Sequence, residues 1–596
     1  MCYTAFMNES NPNINPVDYF ISAESPLHKQ FIAMYMFFVE GYPAEQVAEE
    51  CGYATSTIYS IARDFKERLA SGTEDPFFKD SKIGRNKIDH GEEINQLIIT
   101  YRKKNLSVPE IKSALDALNF NVSERYINAL LSNEGFKRLP RRANKVRNNI
   151  SLEDKTEGCS ALRSERISLK PEKFTSQLAG ILLFLPIIKS YGIDRLIENS
   201  TYPKTSVINR LSSILSFLAL KLSDIQRYSM DDAWCMDKGM GMFAGLNVLP
   251  KTAWFSSYSS SVTREMNLSF LRDLRALWNK EGLLSDTVNL DFSAIPYWGD
   301  DDPFENNWSG KRTKALASIQ AVLAQDPDSG LLCYGDTTIR HHNESDVVLE
   351  FLDFYHDDPN ITSNLKYLVF DSKFTTYENL HKLNKKGLRF VTIQRKNKSL
   401  NEKIAAMPDS SWKDIRIMRS NGKGRIVRVC ESNADLTGYE GEIRQVFIAR
   451  SGKTKPAVLI TNDFNIPLKD LVHKYSRRWL VEKGISEQIH FFHLNRNSSG
   501  IVIKVDFDLV VTILAHNLYR LLAQNMDGYS HCEARTIFNK FILNAGEISV
   551  SVNEVVVKLK RKRTLPLILD WLAYYESFSY QWIYGVPLRF YAANFT

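Results

Sequence analysis

Apolar positions recur at helical spacing through the first part of the chain and change to strand-like alternation near residue 285. Within residues 20–75, Val47, Ala48, Gly52, Ile58 and Ile61 follow the pattern of a helix-turn-helix. Two small or apolar residues pack the first helix, the glycine permits the tight turn, and two isoleucines lock the second helix. That leaves Thr57, Tyr59 and Arg63 on a free face. A second helical unit is expected over 88–148. Ile94, Leu97 and Ile98 form its first stripe, Val108-Pro109-Glu110 opens a helix, and Asn121-Val122-Ser123 caps another, with Arg125 outward. Helical runs continue over 150–284 and predict a linking or oligomerisation region. From 285 to 525 the pattern predicts three strands, a helix, a strand, a helix and a strand. These are Thr287–Phe292, Ala317–Ala324, Leu331–Asp336, 345–356, Leu365–Phe370, Thr375–Lys385 and Arg389–Gln394. More alternating strands over about 405–462 read as a β-rich insertion, and 526–596 as a C-terminal region.

Charge adds little in total and more in its distribution. The formal net charge is +7 over 596 residues. Lys137, Arg138, Arg141, Arg142, Lys145 and Arg147 lie together without an acid, as suits a linker that tracks phosphates or simply stays solvated. The 7 cysteines form no C-x2-C pair, which argues against a zinc ribbon or disulfide framework and for a reducing cytoplasm. No signal peptide is visible, and the most apolar run, Leu178 to Ile188, is too short to cross a bilayer. The expectation is a soluble cytoplasmic protein.

Three acids stand out. Asp291 is expected at or near the end of the first core strand, and Asp371 follows the apolar run Tyr367-Leu368-Val369-Phe370. Acids at the ends of buried strands are displayed at the rim of an α/β layer, where ligands bind. The third lies in His473-Lys474-Tyr475-Ser476-Arg477-Arg478-Trp479-Leu480-Val481-Glu482. On one continuous helix Tyr475, Arg478 and Glu482 would fall within roughly 60° of one another. Glu487 would be about 140° round from Glu482, so the two could not share a metal face. A lone strand-terminal Asp is more often a turn former, and an Arg–Glu i,i+4 pair is common. Hard carboxylate oxygens in this combination suit Mg²⁺ or Mn²⁺.

These motifs resemble those of insertion-sequence transposases of the Asp-Asp-Glu class, in the group with a Tyr-x2-Arg-x3-Glu signature. The resemblance covers roughly 285–525. It rests on Asp371-Ser372-Lys373-Phe374-Thr375 with Leu380, Leu383 and Gly387–Val391, and on Tyr475, Arg478, Trp479 and Glu482. It implies N-terminal all-α helix-turn-helix domains followed by an α/β ribonuclease-H-like core with a β-rich insertion. It also implies two divalent ions between Asp291, Asp371 and Glu482, and strand cleavage and transfer on double-stranded DNA. Element terminal repeats and target DNA would be the partners, in a homodimer or larger synaptic complex at the nucleoid, with no membrane. Tyr475, Arg478, Thr57, Tyr59, Arg63, Arg125, Arg141 and Arg142 would contact DNA. The signature's lysine, seven residues after the Glu, is Ile489 here. A metal-dependent nuclease on the same fold and a catalytically idle DNA-binding regulator remain as alternatives.

Overall fold

The computed structural model describes residues 26–71, 91–103, 106–136, 165–297, 304–309, 314–356, 365–374, 376–395, 397–418, 424–449, 456–496 and 500–594. Contacts divide the chain into two units, Met1–Gly91 and Glu92–Thr596. In the first, helices α1 (Pro26–Phe38), α2 (Ala44–Cys51) and α3 (Thr55–Ser71) enclose a small core of Ala33, Met34, Val47, Ala48 and Ile58. Gly52 ends α2 in the left-handed region, at φ +63°, where a side chain would be strained. Tyr59 and Arg63 are exposed on α3 and Thr57 is half-buried.

The second unit opens with α4 (Gly91–Lys103), α5 (Val108–Ala117) and α6 (Glu124–Asn133) around Ile94, Ile98, Ile111, Leu115, Ile127 and Leu131. Glu110 Oε2 accepts from the Ser107 amide and Ser123 Oγ from the Tyr126 amide, so both helices start on capped amides. Arg125 is exposed. This helical group is bonded to the later segments of the same unit. Lys103 Nζ donates to Val262 O (3.0 Å), Arg340 to Asn133 O (2.6 Å) and the Val502 amide to Glu134 O (3.0 Å). Gly135 lies so close that a Cβ would come within 1.7 Å of Gly500 O.

Helices α7 (Arg210–Leu222), α8 (Thr252–Ser261) and α9 (Arg264–Lys280) dominate the next stretch. The expected all-helical reading misses strand β1 (Glu172–Ser176), which pairs with β12 (Gly546–Val550). With β13 (Val555–Leu559), β14 (Ser579–Tyr580) and β15 (Val586–Ala592) they make a five-stranded sheet. Five residues with little apolar alternation carry no strand signal of their own; long-range pairing supplies it.

The large sheet has ten strands. They are β2 (Thr287–Pro296), β3 (Asn306–Ser309), β4 (Lys314–Gln325), β5 (Leu332–Ile339), β6 (Tyr367–Phe370), β7 (Arg389–Ile393), β8 (Lys413–Met418), β9 (Gly424–Asp435), β10 (Glu442–Ala449) and β11 (Ala457–Thr461). The order is β3-β4-β2-β6-β7-β11-β10-β9-β8, with β5 on β4. Helices α10 (Val347–His356) and α11 (Tyr377–Lys385) connect β5 to β6 and β6 to β7, and α12 (Lys398–Ala405) follows β7. β2, β6 and β7 run parallel, while the insertion strands continue the same sheet through the antiparallel β7–β11 pair. Helices α13 (Leu468–Ser476) and α14 (Trp479–His490) come next, and α15 (Val502–Gln524) is buried along nearly its whole length. Helices thus precede a mixed, sheet-rich part. No described helix is long and apolar enough to cross a membrane.

Candidate active site

Asp291 does not end its strand, as expected from the sequence, but lies in the middle of β2. The parallel pairing with β6 stops at Asn289↔Val369, whereas the antiparallel pairing with β4 continues to Pro296↔Ser318. Extending the parallel register by two residues puts Asp291 level with Asp371, the residue after β6. Both acids therefore stand where the parallel ladder opens, the sheet edge that favours ligands.

The Tyr-Arg-Glu segment is not one helix. α13 ends at Ser476 and α14 begins at Trp479. Between them the Arg478, Leu480 and Val481 amides bond three residues back, to Tyr475, Arg477 and Arg478 carbonyls. The tighter winding departs from 100° per residue. The cause is tertiary. Asn289, fully buried on β2, donates from Nδ2 to Arg477 O (3.0 Å), and Lys474 Nζ donates to Thr287 Oγ1 (2.7 Å). Asn289 and Asp291 share a strand face. One side chain holds the backbone of the junction and the other its arginine.

Arg478 joins the elements. Its Nη1 donates to Asp291 Oδ2 (3.1 Å) and its Nη2 to Glu482 Oε1 (2.5 Å). Its guanidinium centre lies 5.8 Å from the Tyr475 ring centre. Asp371 Oδ1 instead accepts from the Ser372 amide (2.5 Å) and hydroxyl (3.1 Å). Burial pushes Asp291 up to about 6; Arg478 opposes this, while Glu482 and Asp371 add to it. Burial likewise lifts Tyr475 to about 12, against the pull of Arg478. Burial disfavours the charge on Arg478, but Tyr475, Asp291 and Glu482 hold its pKa above the ordinary range. Arg478 Nε is buried without an acceptor, and the buried Tyr475 hydroxyl faces the same guanidinium. Glu487 points away, with Oε2 3.3 Å from His516 Nδ1 on α15.

Carboxylate oxygens from β2, the β6 end and α14 are a suitable donor set in kind for a hard divalent ion. As the side chains stand, no three His, Cys, Asp or Glu among the described residues are grouped to hold a metal. Arg478 lies between two of the acids instead.

Thr57, Tyr59 and Arg63 belong to the first unit. Arg125 is on α6. Arg141 and Arg142, with the rest of the basic linker, lie outside the described residues, as does Trp298. Tyr297 packs against Phe304 (5.1 Å), while Trp308 is exposed. Lys558, Lys560, Arg561, Lys562 and Arg563 form a basic run near the C-terminal end, in which Arg561 Nε and Lys562 Nζ donate to the carbonyls of Ala593 and Asn539. Ile489 is half-buried on α14. Asn289 and Lys474 escaped the sequence reading. An Asn inside Val288-Asn289-Leu290, two residues before a candidate acid, was the available signal. Beside the site, α13 and α14 and the faces of β7–β11 bound a cleft of about 1170 Å³, with Ile393, Val427 and Leu459 among its apolar lining and Arg425, Arg477 and Lys483 among its cations.

Residues 296–518 match the family described as Transposase DDE domain. That span contains Asp371 and Glu482 and starts just past Asp291. The chain is also similar to a solved structure titled "Cryo-EM structure of piggyBac transposase synaptic complex with hairpin DNA (SNHP)". The identity is 12%, over 58% of this chain and 78% of that one, at a TM-score of 0.31. No curated protein matches the chain.

Proposed function

We propose that this chain, a DDE transposase by its domain of residues 296–518, binds the terminal repeats of a mobile element and catalyses metal-dependent strand cleavage and strand transfer. The observation that supports this most is the convergence of acids from two distant segments, Asp291 and Glu482, on one arginine, with Asp371 level in the sheet. The order of strands and helices from β2 to β7 supports a ribonuclease-H-like core, and β8–β11 its β-rich insertion.

In this reading Asp291, Asp371 and Glu482 would hold two Mg²⁺ or Mn²⁺ ions, which would activate an attacking oxygen and stabilise a leaving one. Tyr475 and Arg478 orient phosphates beside the acids. Water attacks the phosphorus at the element end, and the 3′ oxygen leaves with a proton. The freed 3′-hydroxyl then attacks a target phosphodiester, displacing its 3′ oxygen. Thr57, Tyr59 and Arg63 on α3, Arg125 on α6, and Arg141 and Arg142 read or grip duplex DNA as in helix-turn-helix proteins. Joining two ends calls for a homodimer or larger synaptic complex, acting in the cytoplasm at the nucleoid.

The test uses DNA carrying the inverted repeats that flank the gene. Nicking and joining of these ends should require Mg²⁺ and vanish in Asp291→Ala, Asp371→Ala and Glu482→Ala. Cleavage that survives any of the three substitutions refutes the site; cleavage without joining identifies a nuclease instead.

A further inference from the structure

We infer that Arg478 is a removable internal cation, which bridges Asp291 and Glu482 in the DNA-free protein and must leave before a divalent ion can bind between them. DNA would draw it out: a backbone phosphate offers the same fork a partner in solvent. Metal binding and DNA binding are then coupled. The inference rests on the proposed function, since it takes these carboxylates to be the metal-holding set.

Five observations carry it. One guanidinium spans two acids from different elements, at 3.1 and 2.5 Å, and so occupies the space a shared cation would take. No third acid closes on the pair, and the side chains as they stand do not form a metal-holding group among the described residues. Arg478 is held by its two Nη atoms while its buried Nε has no acceptor, so its environment is incomplete. The backbone beneath it is pinned separately, by Asn289 on Arg477 O. The side chain can therefore swing without moving the helix junction. Glu482 is half-exposed, with side-chain exposure 52%, which leaves it free to turn once the arginine departs.

The experiment measures Mn²⁺ affinity of the full chain by calorimetry and by electron paramagnetic resonance of free Mn²⁺, with and without a short duplex. In the absence of DNA, Arg478→Gln should bind Mn²⁺ at least about tenfold more tightly than wild type. Duplex DNA should tighten Mn²⁺ binding to wild type and leave Arg478→Gln unchanged. Arg478→Lys, which keeps a charge but not the fork, should fall between them, and thermal melting checks that each variant is folded. Equal or weaker Mn²⁺ binding by Arg478→Gln overturns the inference, as does wild-type affinity that ignores bound DNA. Asp291→Asn and Glu482→Gln, each combined with Arg478→Gln, separate the two levels. If these still bind Mn²⁺ as Arg478→Gln does, the proposed site itself fails; if they lose it while Arg478→Gln shows no gain, only the role of Arg478 fails.

Discussion

Two groups of acids in the second unit each hold one aspartate of raised pKa, Asp291 in one and Asp506 in the other, and the groups are built in opposite ways. Asp336 and Asp506 are both buried. Asp336 accepts from Arg264 (2.7 Å), from the Thr338 amide and hydroxyl (2.7 Å each) and from Tyr334. Asp506 accepts from Asn267 (2.8 Å) and from the Thr337 hydroxyl (3.0 Å) and amide (3.2 Å). Every oxygen has a donor, and burial followed by the charge of Asp336 holds Asp506 above the ordinary carboxylate range. Asp291 is raised by burial too, and its oxygens accept from Arg478 (3.1 Å) and the Phe292 amide (2.9 Å), but the same arginine reaches an exposed Glu482. A shifted pKa does not by itself separate a structural acid from a reactive one. Access to solvent does: the Asp336 side chain is 1% exposed and that of Glu482 52%.

The comparison fails at once if the two groups respond alike to substitution. Glu482→Ala or Asp371→Ala should lower strand cleavage by at least about 10³-fold, equivalent to about 4 kcal/mol, with little change in melting temperature. Next in size, Asp336→Ala leaves Arg264 without its carboxylate and should cost about 3–5 kcal/mol of stability by denaturant or thermal unfolding. Cleavage per folded molecule should persist; losing it would blur the distinction.

A smaller effect tests the rim of the buried group. Burial, followed by the nearby Lys504, lowers Lys103 to about 8 against the ordinary 10.5. Between these values the unfolded chain binds more protons than the folded one, so stability should rise with pH across that window. Relative to Lys103→Met, wild type should gain about 1–3 kcal/mol between pH 8 and 10.5, measured by melting curves. A gap that stays constant would mean that Lys103 titrates normally. The smallest expected change is at the reactive group's own helix. Ile489→Lys should steepen the salt dependence of DNA binding by about one unit of slope and leave stability nearly unaltered.

Much of this architecture was legible in local pattern. The strands and helices from 287 to 393 fall close to their predicted places because buried β-branched runs alternate with amphipathic helices. The Arg478–Glu482 contact follows from i,i+4 spacing alone. The link from Arg478 to Asp291 does not, because it spans 187 residues and depends on sheet register. The break at Arg477–Arg478 carries no Gly or Pro, and the buried amide of Asn289 fixes it from another strand. The reach of β2 beyond Asp291 was hidden for a related reason. Its later residues pair on the β4 side only, and they end in Pro296, which reads as a break in the local pattern.

The insertion continues the main sheet, with β11 hydrogen-bonded directly to β7 through Leu459↔Ile393, Ile460↔Thr392 and Thr461↔Val391. It therefore cannot be treated as a detachable module. Excising residues between β7 and α13 would leave a central strand with a raw edge, open to pairing with another molecule. A shortened form of this chain would make β7 an edge unless another strand or a covering segment took the position of β11. The exchangeable part of this insertion begins one strand further out than its boundaries in the chain suggest.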